Sequence, residues 1–169
     1  MKSALYPGTF DPLTSGHVSL IKRGCEVFDK IIVGIAEATP KQPLFSLEER
    51  LALAREVFKN NQQVQVTTFN GLTVDYAQKL EVNAILRGLR AVSDIEYEFQ
   101  LALMNRRLNR KIQTVFLMTD YQWLYISSTM IKTAAKEGAD IHGLVPLPVL
   151  HALCKKFPVL EKHLKENEK

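Results

Sequence analysis

The chain has 169 residues, of which 46% are hydrophobic, and it carries 22 Lys and Arg against 18 Asp and Glu for a formal net charge of +4. This length favours one well-buried domain over residues 1–169, in which about 158–169 form a C-terminal helix end and tail. No apolar run approaches the roughly 18 residues of a membrane span, which argues against a membrane partner, and the positive charge favours anionic ligands.

The cysteines and the two ends of the sequence bear on compartment and partners. Cys25 and Cys154 are far apart and lack the C-x-x-C spacing of redox or zinc sites, which favours a reducing compartment. The opening residues lack the apolar core of a secretory signal, so we expect a cytoplasmic protein. Glutamates interrupt the basic stretch 155–169, which favours a solvated helix and tail over a nucleic-acid-binding arm.

Short β-branched or apolar runs alternate with segments of helical period. Five such runs are predicted as strands: Ser3–Tyr6, Ile31–Ile35, Val64–Phe69, Ala84–Leu86 and Thr114–Met118. The alternation predicts an α/β fold, in which a doubly wound sheet of five parallel strands is covered on both faces. Because ligands of such sheets bind beyond the carboxyl ends of the strands, we expect the functional residues directly after strands.

Three helices are marked by periodicity and capping signals. The first is predicted from about His17 to Phe28, and the spacing of Ser46 and Glu49 predicts a capping box at the start of the second. Ser93 with Glu96 repeats that signal before a long helix that ends near Leu108. This long helix is apolar on more than one face, which favours burial on two sides, one of them by a neighbouring subunit.

The most informative segment is YPGTFDPLTSGH, residues 6–17, which follows the first predicted strand. Gly8 permits close backbone approach to a ligand, and Gly16 places His17 at a helix N-terminus, where free N–H groups favour a phosphate. The segment resembles the G-T-F-D-P loop and the [TH]-x-G-H signature of the nucleotidyltransferase superfamily. Thr14 in place of the first histidine resembles the phosphopantetheine adenylyltransferase family rather than the cytidylyltransferases or the nicotinamide-mononucleotide adenylyltransferases.

A second constellation, RGLRAVSD at residues 87–94, follows the fourth predicted strand. The guanidinium groups of Arg87 and Arg90 are three residues apart around a glycine and can bind phosphate oxygens in a bidentate way. A pair of surface arginines on a turn is the alternative. The continuation through 97–101 and 104–105 resembles the same family.

Two further segments match this family. Lys41 lies in the loop after the second predicted strand, where a solvated lysine is the alternative reading. Residues 123–132 open a helix with the hydroxyls of Ser127, Ser128 and Thr129, which suit a phosphate cradle or ordinary helix caps. This segment resembles the family's I-S-S-[ST] motif.

The resemblance extends from Tyr6 to about Val149. It implies a dinucleotide-binding-like (Rossmann-like) fold, a homohexamer, and adenylyl transfer from ATP to 4′-phosphopantetheine in coenzyme A biosynthesis, giving dephospho-coenzyme A and pyrophosphate. It also implies Mg²⁺ bound mainly through the ATP phosphates, with no dedicated metal-ligating residues. Because the acceptor phosphate ionises on its own, we expect no obligatory general base.

The resemblance also implies residue roles. Catalytic roles fall to His17, Thr9, Lys41 and Arg90. The acceptor contacts are Thr9, Lys41, Thr73 and Arg87. The ATP contacts are Thr9, Phe10, His17, Gly88, Leu89, Arg90, Glu98, Trp123, Leu124, Tyr125, Ile126, Ser127, Ser128 and Thr129, with Glu98 on the ribose hydroxyls. Two alternatives stay open: a nucleotidyltransferase with another phosphate acceptor, and a non-catalytic nucleotide-binding regulatory module.

Overall fold

The computed structural model describes residues 1–38, 42–90 and 92–163. The strands are β1 (Ser3–Gly8), β2 (Lys30–Ala36), β3 (Val64–Phe69), β4 (Ala84–Leu89) and β5 (Gln113–Met118). The helices are α1 (Ser15–Gly24), α2 (Leu47–Phe58), α3 (Thr73–Lys79), α4 (Val92–Leu108), α5 (Ser128–Lys136) and α6 (Leu147–Lys156). Short 3₁₀ helices occupy Tyr121–Trp123 and Pro158–Leu160.

The five strands form one sheet in the order β3-β2-β1-β4-β5, and every neighbouring pair is parallel. The predicted doubly wound parallel sheet is therefore confirmed. β1 and β4 extend further than predicted, to Gly8 and Leu89, because each keeps a partner on one side. Gly8 pairs with Ile35 of β2, and Leu89 pairs with Met118 of β5.

Alternate strand residues supply two hydrophobic cores, one on each face of the sheet. On the first face, Ala4 and Tyr6 of β1 pack with buried residues of α1, α2, α5 and α6. On the second face, Leu5 and Ile85 pack with residues of α3, and α4 lies over β4 and β5. No helix within the described ranges is long and apolar enough to span a bilayer.

Two helix boundaries differ from the predicted ones. α1 ends at Gly24 rather than near Phe28, because the chain continues in turns: the N–H groups of Glu26 and Val27 donate to the carbonyls of Arg23 and Gly24, three residues back. Phe28 still reaches the core, from the turn that follows the helix. α4 begins at Val92, so Ser93 is its second helical residue and not the predicted cap.

β1 and β4 separate at their carboxyl ends. Their pairing comprises only Ala4 with Ala84 and Leu5 with Ile85, whereas β1 and β4 continue along their other neighbours for three and four further residues, to Gly8 and Leu89. Chain order reverses at this point, since β2 and β3 lie on one side and β4 and β5 on the other. The sheet is thus open at its topological switch point, the expected place for a ligand.

The helix α4 is largely exposed. Among its residues from Asp94 onward, Glu98 is the one that is fully buried. Two apolar stripes flank the inward side that contains Glu98, and their members are 36–63% exposed: Ile95, Phe99 and Leu103 on one side, and Tyr97, Leu101, Met104 and Leu108 on the other. Exposed apolar surface of this extent is typical of a protein interface.

Candidate active site

A cavity of about 550 Å³ occupies the opening between β1 and β4. Its walls come from the β1–α1 loop, the end of β4, the first turns of α4 and the start of α5. Residues from both faces of the sheet reach it, because the strands have separated there. Tyr6 enters from the face covered by α1, and Arg87 from the face covered by α4.

Most of the predicted site residues line this one cavity: Thr9, Phe10, His17, Arg87, Gly88, Arg90, Glu98, Ile126, Ser127, Ser128 and Thr129. Leu89 and residues 123–125 do not line it. Thr73 lies in a smaller groove that shares Pro7, Arg87 and Glu98 with the cavity. Lys41 lies outside the described residues, so its acceptor role stays a prediction.

Thr14 and His17 form a reciprocal capping box at the start of α1. The Thr14 hydroxyl accepts from the backbone N–H of His17, and the backbone N–H of Thr14 donates to Nδ1 of His17 at 3.0 Å. Because Nδ1 accepts, the neutral imidazole carries its proton on Nε2. The T-x-G-H motif therefore both starts the helix and fixes the imidazole tautomer, which leaves Nε2–H as a donor for a ligand.

The environment of His17 favours its neutral form. Burial, together with the positive charges of Arg90 and Arg87, lowers the pKa of His17 to about 4. The ring also packs edge-on against Phe10, with the ring centroids 5.2 Å apart. At neutral pH His17 is thus an oriented, uncharged hydrogen-bond donor.

Glu98 holds Arg87 in place across the sheet opening. Nε of Arg87 donates to Oε2 of Glu98 at 2.7 Å, Nη2 donates to Oε1, and Nη1 donates to the carbonyl of Pro7 at 3.1 Å. Burial opposes the charged form, but the Glu98 carboxylate outweighs it and raises the pKa of Arg87 above its ordinary value. Arg87 lies within β4 rather than in the loop after it, and its two unused N–H bonds remain for an anion.

Arg90 is held differently, at the opposite side of the cavity. Its Nη1 donates to the carbonyl of Ile126 at 3.1 Å, and its Nε donates to Asp94 at 3.3 Å. The guanidinium thereby links the end of β4 to the segment that leads into α5. The two arginines are three residues apart in sequence yet have separate anchors, so each presents charge from its own direction.

The three hydroxyls at the start of α5 have distinct environments. Ser127 is the N-cap and accepts from Met130 N–H, whereas the Ser128 hydroxyl donates to the carbonyl of Pro12 at 2.8 Å. Ser128 thus contributes its backbone N–H rather than a free hydroxyl hydrogen. Thr129 is exposed at the cavity rim. The predicted phosphate cradle therefore rests mainly on the helix N-terminus.

A buried carboxylate organises the loops around the cavity. Asp11 accepts hydrogen bonds from the backbone N–H groups of Leu44 and Phe45, at 3.0 and 2.9 Å, and from Nζ of Lys132 at 2.6 Å. Burial would raise the pKa of Asp11, but these hydrogen bonds, led by that of Lys132, lower it. Asp11 thus connects the β1–α1 loop with α5 and with the segment that precedes α2.

Arg50 also anchors the β1–α1 loop. Its side chain is buried and donates to the carbonyls of Thr9, Ala36 and Phe45. Sequence reasoning missed Arg50, Lys132 and the role of Asp11, because their partners come from elements far apart in the chain. The detectable signal was the position of Asp11 inside the G-T-F-D-P loop.

The carboxylates that line the cavity are engaged in ion pairs. Among the described residues, no group of three or more His, Cys, Asp or Glu side chains could hold a metal ion. The cavity carboxylates Glu98 and Asp94 are paired with Arg87 and Arg90.

Similarity to known proteins in sequence and fold identifies the class of protein. The family model for cytidylyltransferase-like proteins matches residues 5–134. A solved structure from Vibrio parahaemolyticus, of a candidate nicotinate-nucleotide adenylyltransferase, superposes with a TM-score of 0.70 at 19% identity and covers 90% of this chain and 99% of its own. The fold and the lining of the cavity thus define a nucleotidyltransferase of the cytidylyltransferase-like class.

Curated relatives narrow that class. Phosphopantetheine adenylyltransferase of Nitratidesulfovibrio vulgaris strain DP4 is 65% identical over 92% of this chain and 84% of its own length. The proteins of that name from Oleidesulfovibrio alaskensis and Desulfosudis oleivorans are 61% and 54% identical, over 92% and 99% of this chain and 92% and 100% of theirs. The chain belongs to the phosphopantetheine adenylyltransferase family, which confirms the family predicted from its motifs.

Proposed function

We propose that the protein transfers the adenylyl group of ATP to the phosphate of 4′-phosphopantetheine, releasing pyrophosphate and dephospho-coenzyme A, a step of coenzyme A biosynthesis. The observation that carries this proposal is the convergence on one cavity of Nε2–H of His17 and the guanidinium groups of Arg87 and Arg90. Three donors around an opening at the switch point suit a reaction between two phosphate compounds.

The reaction is an attack by an oxygen of the acceptor phosphate on the α-phosphorus of ATP. The bond from that phosphorus to the bridging oxygen breaks, and its electron pair leaves with pyrophosphate. The acceptor is largely dianionic near neutral pH, so no side chain has to remove a proton. The residues instead reduce repulsion between two anions and stabilise the charge that grows on the α-phosphoryl oxygens.

His17 suits the α-phosphoryl group because its donor is fixed before the ligand arrives. The Thr14 N–H holds Nδ1, and the low pKa keeps the ring neutral until anions surround it. Arg90 and the N-terminus of α5 support the triphosphate at the neighbouring wall. Thr9 and Phe10 would contribute contacts from the β1–α1 loop.

The acceptor would enter through the groove beside the cavity. Arg87 lines both spaces and would bind the acceptor phosphate there with Lys41. The groove continues past Thr73, Leu101 and Ala102, and this mixed apolar and hydroxyl lining suits an uncharged pantetheine arm.

Mg²⁺ would enter bound to ATP. The paired carboxylates and the lack of a side-chain metal cluster among the described residues fit a cation held by phosphate oxygens and water. When bound, the cation neutralises triphosphate charge. Arg90 and the N-terminus of α5 would then orient the phosphates.

We further propose a homohexamer in the cytoplasm. Self-association is supported by the two exposed apolar stripes of α4, and the number six follows from the family resemblance. Cys25 and Cys154 are free thiols, which suits a reducing compartment.

The test compares acceptors in the presence of ATP and Mg²⁺ while pyrophosphate release is followed. We expect turnover with 4′-phosphopantetheine and none with nicotinamide mononucleotide or nicotinate mononucleotide. Comparable turnover of a mononucleotide would establish the alternative acceptor class. ATP binding without turnover on any acceptor would establish a regulatory module.

A further inference from the structure

The side chain of Tyr6 lines the cavity close to His17. Tyr6 is an interior residue of β1 whose ring packs edge-on against Phe10, at a centroid distance of 5.4 Å, and lies 6.4 Å from the His17 ring. The residue is only 7% exposed. A tyrosine buried to this degree usually has a hydrogen-bond partner for its hydroxyl.

The Tyr6 hydroxyl has no such partner in the described part of the chain, although buried polar groups elsewhere are satisfied. Every fully enclosed side-chain nitrogen or oxygen of the described residues makes a hydrogen bond. The small exposed fraction of Tyr6 therefore includes its hydroxyl, which opens into the cavity that the residue lines. Leaving a polar group so nearly buried and unpaired is unfavourable unless a ligand completes its hydrogen bonding.

The charges around the hydroxyl indicate the ligand's chemistry. Arg87 and Arg90 are the cations that act electrostatically on Tyr6. Burial, opposed by these arginines, raises the pKa of Tyr6 to about 12, so the phenol keeps its proton at any pH at which the protein works. A protonated phenol that shares a cavity with two guanidinium groups is a donor in an anion site.

We propose that the Tyr6 hydroxyl is a further ligand-binding group, which donates a hydrogen bond to the ATP phosphate oxygens that His17 and Arg90 contact. This proposal rests on the proposed function for the identity of the anion. Tyr6 thus adds a second neutral donor to the one that His17 supplies. The hydroxyl thus has its partner only in the loaded site, and its contribution is to the ligand rather than to the fold.

The experiment compares Tyr6→Phe with Tyr76→Phe, which makes the same chemical change elsewhere. The Tyr76 hydroxyl is hydrogen-bonded to Thr67 at 3.2 Å, outside the cavity. The dissociation constant of ATP with Mg²⁺, kcat and KM with 4′-phosphopantetheine, and the melting temperature are measured for both variants.

Tyr6→Phe should weaken ATP binding or lower kcat/KM roughly tenfold to a hundredfold, the range for a hydrogen bond to a charged group. Its melting temperature should stay at or above that of the wild type, because no bond of the free protein is lost. Tyr76→Phe should show the reverse, with a lower melting temperature and unchanged kinetics. The ATP measurement does not depend on the acceptor, so it tests Tyr6 even if the wild type fails to turn over 4′-phosphopantetheine.

Two results would overturn the proposal. One is wild-type ATP affinity and wild-type kcat/KM in Tyr6→Phe. The other is a melting temperature that falls in Tyr6→Phe as it does in Tyr76→Phe, since the hydroxyl would then stabilise the fold.

Discussion

The carboxylate of Glu98 accepts two hydrogen bonds from the guanidinium of Arg87, one from Nε and one from Nη2. The family resemblance places Glu98 on the ATP ribose, whereas this pairing places it behind the residue expected to bind the acceptor. The side chains of Glu98 and Arg87 are 11% and 28% exposed, so the pair is partly shielded from water. From this pairing we expect Glu98 to position Arg87.

Glu98→Gln should therefore weaken acceptor binding more than ATP binding. The amide can accept only one of the two hydrogen bonds and carries no charge, so we expect a roughly tenfold rise in the KM for the acceptor and a loss of about 1–3 kcal/mol in the free energy of unfolding. Steady-state kinetics with each substrate varied in turn provide the measurement. A rise confined to the KM for ATP would return Glu98 to the ribose.

His17→Asn should separate the two groups that titrate near neutral pH. In the free protein the pKa of His17 is about 4, so an acid limb of kcat/KM at ~6 belongs to the acceptor phosphate. His17→Asn loses part of the donor function and should reduce kcat by up to ~10²–10³ while the limb stays at the same pH. Loss of the limb in the variant would mean that protonation of His17 controls the rate.

The same shift makes folding stability depend on pH. The pKa of His17 is lowered from 6.5 to about 4 by folding, so between these values the unfolded chain binds a proton that the folded protein does not. The free energy of unfolding should fall as pH drops from 6.5 toward 4, by an upper value of ~3 kcal/mol that partial exposure reduces. Urea unfolding of wild type and His17→Asn at pH 7 and 4.5 should show a smaller drop in the variant. Equal drops would contradict the assignment.

Lys132→Gln tests the carboxylate that joins the loops. Removing the ammonium from Asp11 should lower the free energy of unfolding by about 1–3 kcal/mol and weaken acceptor binding, because Asp11 also holds the backbone of Leu44 and Phe45, which follow Lys41 in the chain. Lys22→Gln, an exposed change on α1, is the matched control and should alter neither quantity. Urea unfolding and calorimetric titration with the acceptor measure both, and equal behaviour of the two variants would refute the role.

Leu103→Glu tests the apolar stripes of α4. Leu103 is 53% exposed, and a charge placed there should disfavour burial in a contact between subunits. We expect sedimentation at micromolar concentration to show an oligomer for the wild type and smaller species for the variant. Val27→Glu, at a residue 51% exposed beyond the end of α1, should sediment like the wild type. A monomeric wild type would contradict the proposed assembly.

Local sequence patterns predicted most of the fold. β3 was predicted to the residue, and the cap at Ser46 and Glu49 is present, because these depend on alternation and on contacts three residues apart. The predicted end of α1 was wrong, since the apolar spacing that includes Phe28 continues into the turns after Gly24, and Phe28 packs into the core from there. The predicted cap at Ser93 was wrong because the helix already includes that residue.

In the candidate site too, local contacts were predicted from the sequence and contacts between distant residues were not. The T-x-G-H motif predicted a helix N-terminus with a phosphate-binding histidine. Thr14 and His17, which form the capping box, both belong to this four-residue motif. The pairing of Arg87 with Glu98 and that of Asp11 with Lys132 span 11 and 121 positions, and no local pattern encodes them. The unpaired hydroxyl of Tyr6 could not be predicted either, because it depends on which groups surround the side chain in the folded protein.

Pro7 disfavours further pairing of β1 with β4 at the sheet opening. Ser3 presents its carbonyl to the β4 side, where Asn83 donates to it, so by strand alternation Pro7 faces the same side. At that position a residue with an N–H could extend the β1–β4 ladder, and each added backbone hydrogen bond would stabilise a closed sheet by ~1 kcal/mol. Proline has no N–H to give, and its carbonyl is already taken by Arg87. Pro7 thus ends the hydrogen bonding between β1 and β4, and the ligand site stays open without a ligand.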